Sequence, residues 1–240
     1  MKKALLLLLL LPALSNAQFK DILKKATDKV NAVTNSNSGL DIAAGLKEAL
    51  NKGVTEQVSK LTAMDGFYKN EAVKILMPEE LAKVDKTLRK MGMSKLADEG
   101  ILALNRAAED AVKEATPIFV SAIKNITITD AKGILLGNDN AATVYLQSAT
   151  TTSLYSKFNP VVQQSIGKVG ADVIWTKIIT QYNTIPFVTK VNPDLTDYVT
   201  NKALEGVFKM ITVEEVKIRT DINARTSAVL MKVFALQDKK

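Results

Sequence analysis

The sequence predicts an all-α protein: a multi-helix bundle of about nine helices with kinked and crossing members, and little or no β structure. Three observations carry this. Apolar residues recur at spacings of three and four along most of the chain, Gly and Pro fall at the joints between such stretches, and β-branched alternation is confined to a few residues. Of the 240 residues 47% are hydrophobic and 24% charged, enough for a sizeable core and too balanced for disorder. No fixed-period repeat argues for a solenoid.

The N-terminus carries the pattern of a secretory signal. Lys2 and Lys3 precede an apolar run from Ala4 to Leu11, and Ser15, Asn16 and Ala17 are small residues at the positions a signal peptidase reads. The run is about ten residues long, too short for a hydrocarbon core that needs roughly 20, and no later stretch is comparable. Residues 1–17 are therefore expected to be removed near Ala17, giving a soluble periplasmic or otherwise secreted protein without a transmembrane segment. Loss of two lysines lowers the net charge from +7 to about +5. Lysines interleaved with acids argue against nucleic acid as a partner and leave only a weak peripheral attraction to anionic envelope surfaces.

Residues 18–38 read as an amphipathic helix, with Phe19, Ile22, Leu23, Ala26, Val30 and Val33 on one face, followed by a flexible Asn/Ser link. Residues 39–240 read as one helical domain. A docked helix and a partner-binding arm are both compatible with the first segment. Leu40 to Leu61 gives the next helix, and Pro78 with Glu79 and Glu80 opens another that Gly92 stops. Ser94 to Ile123 is the longest periodic stretch, expected to kink or break near Ala115 because Pro117 cannot continue a backbone ladder. Asn125 to Thr129 reads as an extended link, and Asp130 to Leu136 as a short helix closed by Gly137. Asn140 to Lys157 and Asn159 to Gln181 read as two helices, the second opened by Pro160, and Tyr182 to Val191 as an extended bridge. Asn192 and Pro193 start a helix running to Met210, Thr212 with Glu215 resembles a capping box for another, and a last helix covers about Ala224 to Ala235.

The chain has no cysteine and no histidine. That removes disulfides, thiol nucleophiles, imidazole bases and zinc sites built from these ligands, and it excludes a lipoprotein leader. No phosphate loop, dinucleotide fingerprint, nucleophile elbow or calcium-loop spacing is present, so the sequence calls for no cofactor, no metal and no assigned catalytic residue. The remaining candidates are ligand-binding ones. Asp65, Tyr68, Lys69 and Asn70 crowd a turn. Arg106 and Glu109 sit mid-helix, where pairing with Asp110 and Lys113 would make a solvated face and an inward phase would make a buried network or an anion site. Asp197 stands three residues from Asp194 at a helix start, Tyr198 and Lys202 share one helix face, and Arg219 and Arg225 flank a break with Glu214, Glu215 and Asp221 within pairing range.

These residues also lie in longer phrases: DGFYKNEAVKILMPEEL at Asp65 to Leu81, LNRAAEDAV at Leu104 to Val112, YNTIPFV at Tyr182 to Val188, NPDLTDYVTNKALEGVF at Asn192 to Phe208, and ART at Ala224 to Thr226. Through them the chain, from about Gly39 to Phe234, resembles a family of exported bacterial proteins described as domain of unknown function 4197. Ile222 departs from the proline that members often carry shortly before the ART run. The resemblance implies an envelope helical domain and supplies no mechanism.

Two function classes follow. One is a non-catalytic exported binding or structural protein of the envelope, holding an apolar or anionic small molecule between helices. The other is an enzyme, such as a hydrolase, using carboxylates with Lys, Tyr or Arg, which requires Asp65, Arg106, Glu109, Asp197 or Arg225 to converge in one cleft. Oligomerisation is not legible, since no heptad run is long enough to argue pairing.

Overall fold

Leu146, Thr150, Leu154, Phe158, Val162 and Ile166 are spaced by four and all buried, and they lie on one uninterrupted helix. In the computed structural model, which describes residues 38–77, 94–168 and 194–238 together with 86, 89–90, 92, 170, 172–173, 176, 180, 183–184, 186–187 and 190, that helix is the central element. Seven α-helices have defined bounds among the described residues: α1 Ser38–Thr62, α2 Ser94–Val112, α3 Ala115–Lys124, α4 Ile128–Leu136, α5 Ala141–Gly167, α6 Leu195–Thr220 and α7 Ala228–Phe234. A 3-10 turn, Ile222–Ala224, precedes α7. No strand occurs among the described residues. The all-α class holds, with fewer bounded helices than the nine expected. The signal segment, the 19–33 helix, nearly all of the Pro78 helix, and most of the 182–191 bridge lie outside the described residues.

A row of residues spaced by four advances 400° per step in a helix of 3.6 residues per turn, so it drifts by about 40° each time. Over the five steps from Leu146 to Ile166 the buried line winds about half-way round α5. That requires neighbours on several sides, and α5 packs against α2, α3, α4 and α6. α2, α5 and α6 touch pairwise and form the centre, and α7 and the 3-10 turn pack on α6. Phe119 of α3 meets Phe208 of α6 edge to face, with centroids 6.0 Å apart. α1 is tied in by Gln57 Nε2, which donates to Glu214 at 3.0 Å, and by Lys47 Nζ, which donates to the Lys124 carbonyl at 2.8 Å.

The expected break near Ala115 is present, at Lys113 and Glu114, and it places Pro117 third in α3. In a first turn the missing N–H costs little. Two expected breaks are absent. Pro160 lies inside α5, because the buried row continues in phase on both sides of it and the packing of Phe158 and Val162 outweighs one lost backbone bond. Thr212 and Glu215 lie inside α6, where the Thr212 hydroxyl donates to the Phe208 carbonyl instead of capping a new helix. Three starts also shift. Asp194 is the N-cap of α6 and accepts from the Asp197 amide. Thr127 with Asp130 forms a reciprocal capping box that opens α4 at Ile128. Ser227 caps α7 and accepts from the Leu230 amide.

Pro160→Ala is expected to stabilise the fold, since proline in a helix interior costs about 3 kcal/mol against alanine and its ring lies on an exposed position. Some of that gain is offset by the freer unfolded chain, leaving roughly 1 to 2 kcal/mol in urea unfolding. A loss of stability would mean that α5 needs a bend there. Phe158→Ala, at a fully buried site, should cost about 3 to 5 kcal/mol.

Candidate functional site

Asp65 has φ 67°, the left-handed region that aspartate tolerates better than most residues, and it turns the chain back from the end of α1. A side chain at Gly66 would strike the Lys60 carbonyl, 2.4 Å from where a Cβ would sit, so the reversal needs glycine there. The loop that follows is held by α2. Glu109 Oε1 accepts from the Phe67 amide at 3.0 Å and from the Tyr68 amide at 3.4 Å, and its other oxygen pairs with Arg106. Arg106 reaches on to Asp65, whose second oxygen pairs with Lys69 at 2.7 Å. Lys69 and Arg106 together hold the Asp65 carboxyl below the usual carboxylate range. One residue before Arg106, Asn105 binds both backbone groups of Ile75, accepting from its N–H at 2.8 Å and donating to its carbonyl at 2.8 Å. Phe67, fully buried, lies against Gly206 of α6, where an added Cβ would be 2.7 Å from the ring.

Glu109 thus lies in a buried network and not on the solvated face, with Arg106 half-buried at its edge. Asp110 pairs with Lys113 on the outside, while Glu109 lies on the same stripe as Leu104, Ala108, Ala111 and Val112. Tyr68 is half-buried with the Lys74 ammonium 4.8 Å over its ring. Asn70 donates to Met210 Sδ at 3.8 Å and accepts from the Ala72 amide at 3.1 Å.

A second network lies on the last turns of α6. Glu215 and Arg219, with side chains 6% and 0% exposed, pair one turn apart. The Glu215 carboxylate accepts from the Ala142 and Thr143 amides, both at 2.8 Å, and from the Thr143 hydroxyl at 2.7 Å. With Ala141 donating to the Asn138 carbonyl and Val144 to that of Asn140, all four first-turn amides of α5 are satisfied. Arg219 donates to the Ile134 carbonyl at 2.8 Å and the Leu135 carbonyl at 3.1 Å, the last turn of α4. An anion at a helix start and a cation at a helix end are both favoured by the peptide dipoles.

Arg225 repeats the device on α6 itself. Its guanidinium donates to the Ile218 carbonyl at 3.0 Å and the Arg219 carbonyl at 3.2 Å, and it clasps Asp238 bidentately. Its acidic partner is therefore in the C-terminal segment, not among Glu214, Glu215 and Asp221. Phe234 of α7 carries both guanidiniums over its ring, at 5.5 and 5.9 Å.

The remaining candidates lie at the start of α6. Asp197 accepts from the Tyr155 hydroxyl at 2.6 Å and from Asn201, and its amide donates to Asp194. That hydrogen bond and burial push the Tyr155 phenol up to about 12. Tyr198 donates to the Leu76 carbonyl at 3.0 Å. Lys202, which the sequence groups with Tyr198, pairs with Glu205. Asp65, Lys69, Arg106 and Glu109 form one direct chain of contacts, while Arg219 and Arg225 belong to another focus with Glu215 and Asp238. Among the described residues no group of three or more carboxylates is placed to hold a metal ion, and no described helix is long and apolar enough to cross a membrane. A surface groove of about 440 Å³ runs between α3 and α5, with Ile118 and Ala122 facing Tyr145 and Ala149 and with Lys157 on its lining.

Sequence reasoning did not place Tyr155, Glu215 or Asp238 among the candidate site residues. Glu215 carried a signal, since it stands on the stripe of Ile211 and Ile218 that α6 buries. A charged residue at a core position of a helix needs a partner from elsewhere.

Arg219→Met should cost about 3 to 5 kcal/mol in chemical unfolding, because it leaves Glu215 buried without its cation and two carbonyls without a donor. The Arg225 ion pair holds Asp238 below the ordinary carboxylate range, so the pair contributes stability above about pH 4. This contribution is lost as pH falls through the lowered value in the folded state. Thermal midpoints measured from pH 6 down to pH 2 should therefore fall less for Asp238→Asn than for the unaltered protein.

No curated protein and no solved structure matches the chain. The family model described as a protein of unknown function, DUF4197, matches residues 34–235, a span that takes in α1, the Asp65–Glu109 network, the Glu215–Arg219 pair and the whole of α7. By that match the chain belongs to the DUF4197 family.

Proposed function

We propose that this is an exported, non-catalytic helical protein of the bacterial envelope that binds a small apolar or anionic molecule, or a partner, without transforming it. One observation carries this reading. The buried ionisable groups, candidates and others alike, hold the fold together. Glu109 is engaged by two loop amides and Arg106, Glu215 by two helix amides and Arg219, and Arg219 and Arg225 by backbone carbonyls of helix ends. A general acid or base must be able to release its proton partner to a substrate, and groups bound this way have no capacity left for it. Tyr155 points the same way, because a phenol raised to about 12 is a poor base at neutral pH.

Export is supported by the leader pattern of Lys2, Lys3, the apolar run and Ala17. It is consistent with a chain that contains no cysteine to pair in an oxidising compartment. The alternative enzyme would need Asp65, Arg106 and Glu109 to open toward a cleft. Glu109 instead binds two loop amides, Arg106 pairs with Glu109 and Asp65, and Asp65 pairs with Lys69.

Two measurements test the proposal on protein isolated from its own source. The intact mass should begin at Gln18, and native mass spectrometry should show a non-covalent adduct that disappears on denaturation. Hydrolytic turnover of ester, phosphoester or glycoside substrates, abolished by Glu109→Gln at an unchanged melting temperature, would replace the binding reading with the enzymatic one.

A further inference from the structure

The groove between α3 and α5 belongs to neither charge network. Its volume of about 440 Å³ lies in the range of small-ligand sites, roughly 300 to 1,000 Å³. On α5 its lining follows one line of residues spaced by four, Tyr145, Ala149, Ser153 and Lys157, about 18 Å long at 1.5 Å per residue. The small side chains Ala149 and Ser153, facing Ala122 of α3, leave the space open. At the buried bottom the Thr150 hydroxyl is already satisfied, donating to the Leu146 carbonyl at 2.6 Å. An apolar chain lying over Thr150 would therefore strip no unbonded hydroxyl of water there, while Ser121 and Ser153 line the groove beside it.

The two ends differ in charge. Burial and the Asp130 carboxylate raise the Tyr145 phenol above its ordinary value, so the Tyr145 end lies within reach of a negative charge at the start of α4. α4 follows α3 after a three-residue link, so its start lies close in the chain to Asn125, which also lines the groove. Lys157 is exposed and makes no ion pair among the described residues. A cation at one end and an anion near the other favour one orientation of a charged ligand and oppose its reverse.

Building on the binding role argued above, we infer that the α3–α5 groove binds a single-chain amphiphile with an anionic headgroup. The headgroup sits at Lys157, and the chain lies over Ala149 and Ala122 toward Tyr145. A free fatty acid and a lysophospholipid share this chemistry.

Mature protein labelled with ¹⁵N is titrated with dodecanoate, with a lauroyl lysophosphatidylglycerol and with dodecyltrimethylammonium, below their micelle concentrations. The inference expects amide shifts confined to residues 117–125 and 145–157 for at least one anion. It also expects at least tenfold weaker anion binding in Lys157→Glu, which reverses the charge, and in Ala149→Phe, which fills the floor. Both positions are exposed, and unchanged urea midpoints confirm that the variants fold. Preference for dodecanoate assigns a free acid, and preference for the lysolipid a membrane-derived one. Shifts elsewhere, an affinity within twofold of the unaltered protein in Lys157→Glu, equal binding of the cation, or no binding of either anion overturns the groove assignment. A native adduct that persists in both variants would overturn it too while leaving the binding role intact.

Discussion

The pair of Glu215 and Arg219 joins two helix ends that belong to neither residue's own helix. Burying two charges costs several kcal/mol each before any attraction is counted, and an isolated buried pair is often no better than two apolar side chains. Here the charges are given more partners than each other. Glu215 takes the free amides at the start of α5, and Arg219 takes the free carbonyls at the end of α4. Those backbone groups would otherwise be buried without bonds, because Asn140 supplies no side-chain cap to α5. The pair therefore fixes the corner between α4 and α5 and docks it on α6 in one arrangement, and the core of α5 is built outward from that corner.

The loop of residues 65–77 is organised by the same principle at another place in the bundle. Glu109 and Asn105 read backbone groups and not side chains, so they impose a conformation on the loop. Phe67 can then enter the core against Gly206 only in that conformation. Arg225 closes the third such corner, tying the end of α6 to the C-terminal segment through Asp238. Glu109, Glu215 and Arg219 from helix interiors, and Arg225 from the link after the 3-10 turn, satisfy backbone groups at these corners as local caps do in most helical proteins.

Much of the fold was legible because periodic burial and local stop signals agree along most of the chain. The spacing of Ile42, Leu46, Leu50 and Val54 marks α1, and Pro117 marks the break before α3. Where the two signals conflict, packing decides. Pro160 and Thr212 look like boundaries locally, yet the apolar rows run through them in phase, and a proline or a threonine is cheaper to tolerate than a core is to interrupt. The site was legible as a set of residues and not as an arrangement. Asp65 and Arg106 are 41 positions apart and Phe67 and Glu109 are 42 apart, and no single-chain pattern links such positions. A carboxylate that caps a distant helix also has the same sequence appearance as one awaiting a substrate. Only its hydrogen-bond partners distinguish the two.

The Glu215 cap also bears on the order of synthesis. The amide of Ala142 waits for a carboxylate that lies 73 positions later, and the contacts that close the C-terminal corner wait for Asp238, at the far end of the chain. As the chain emerges from the ribosome, α5 can form only as a frayed helix with its first turn open to water. The compact state becomes available only when nearly the whole polypeptide is present.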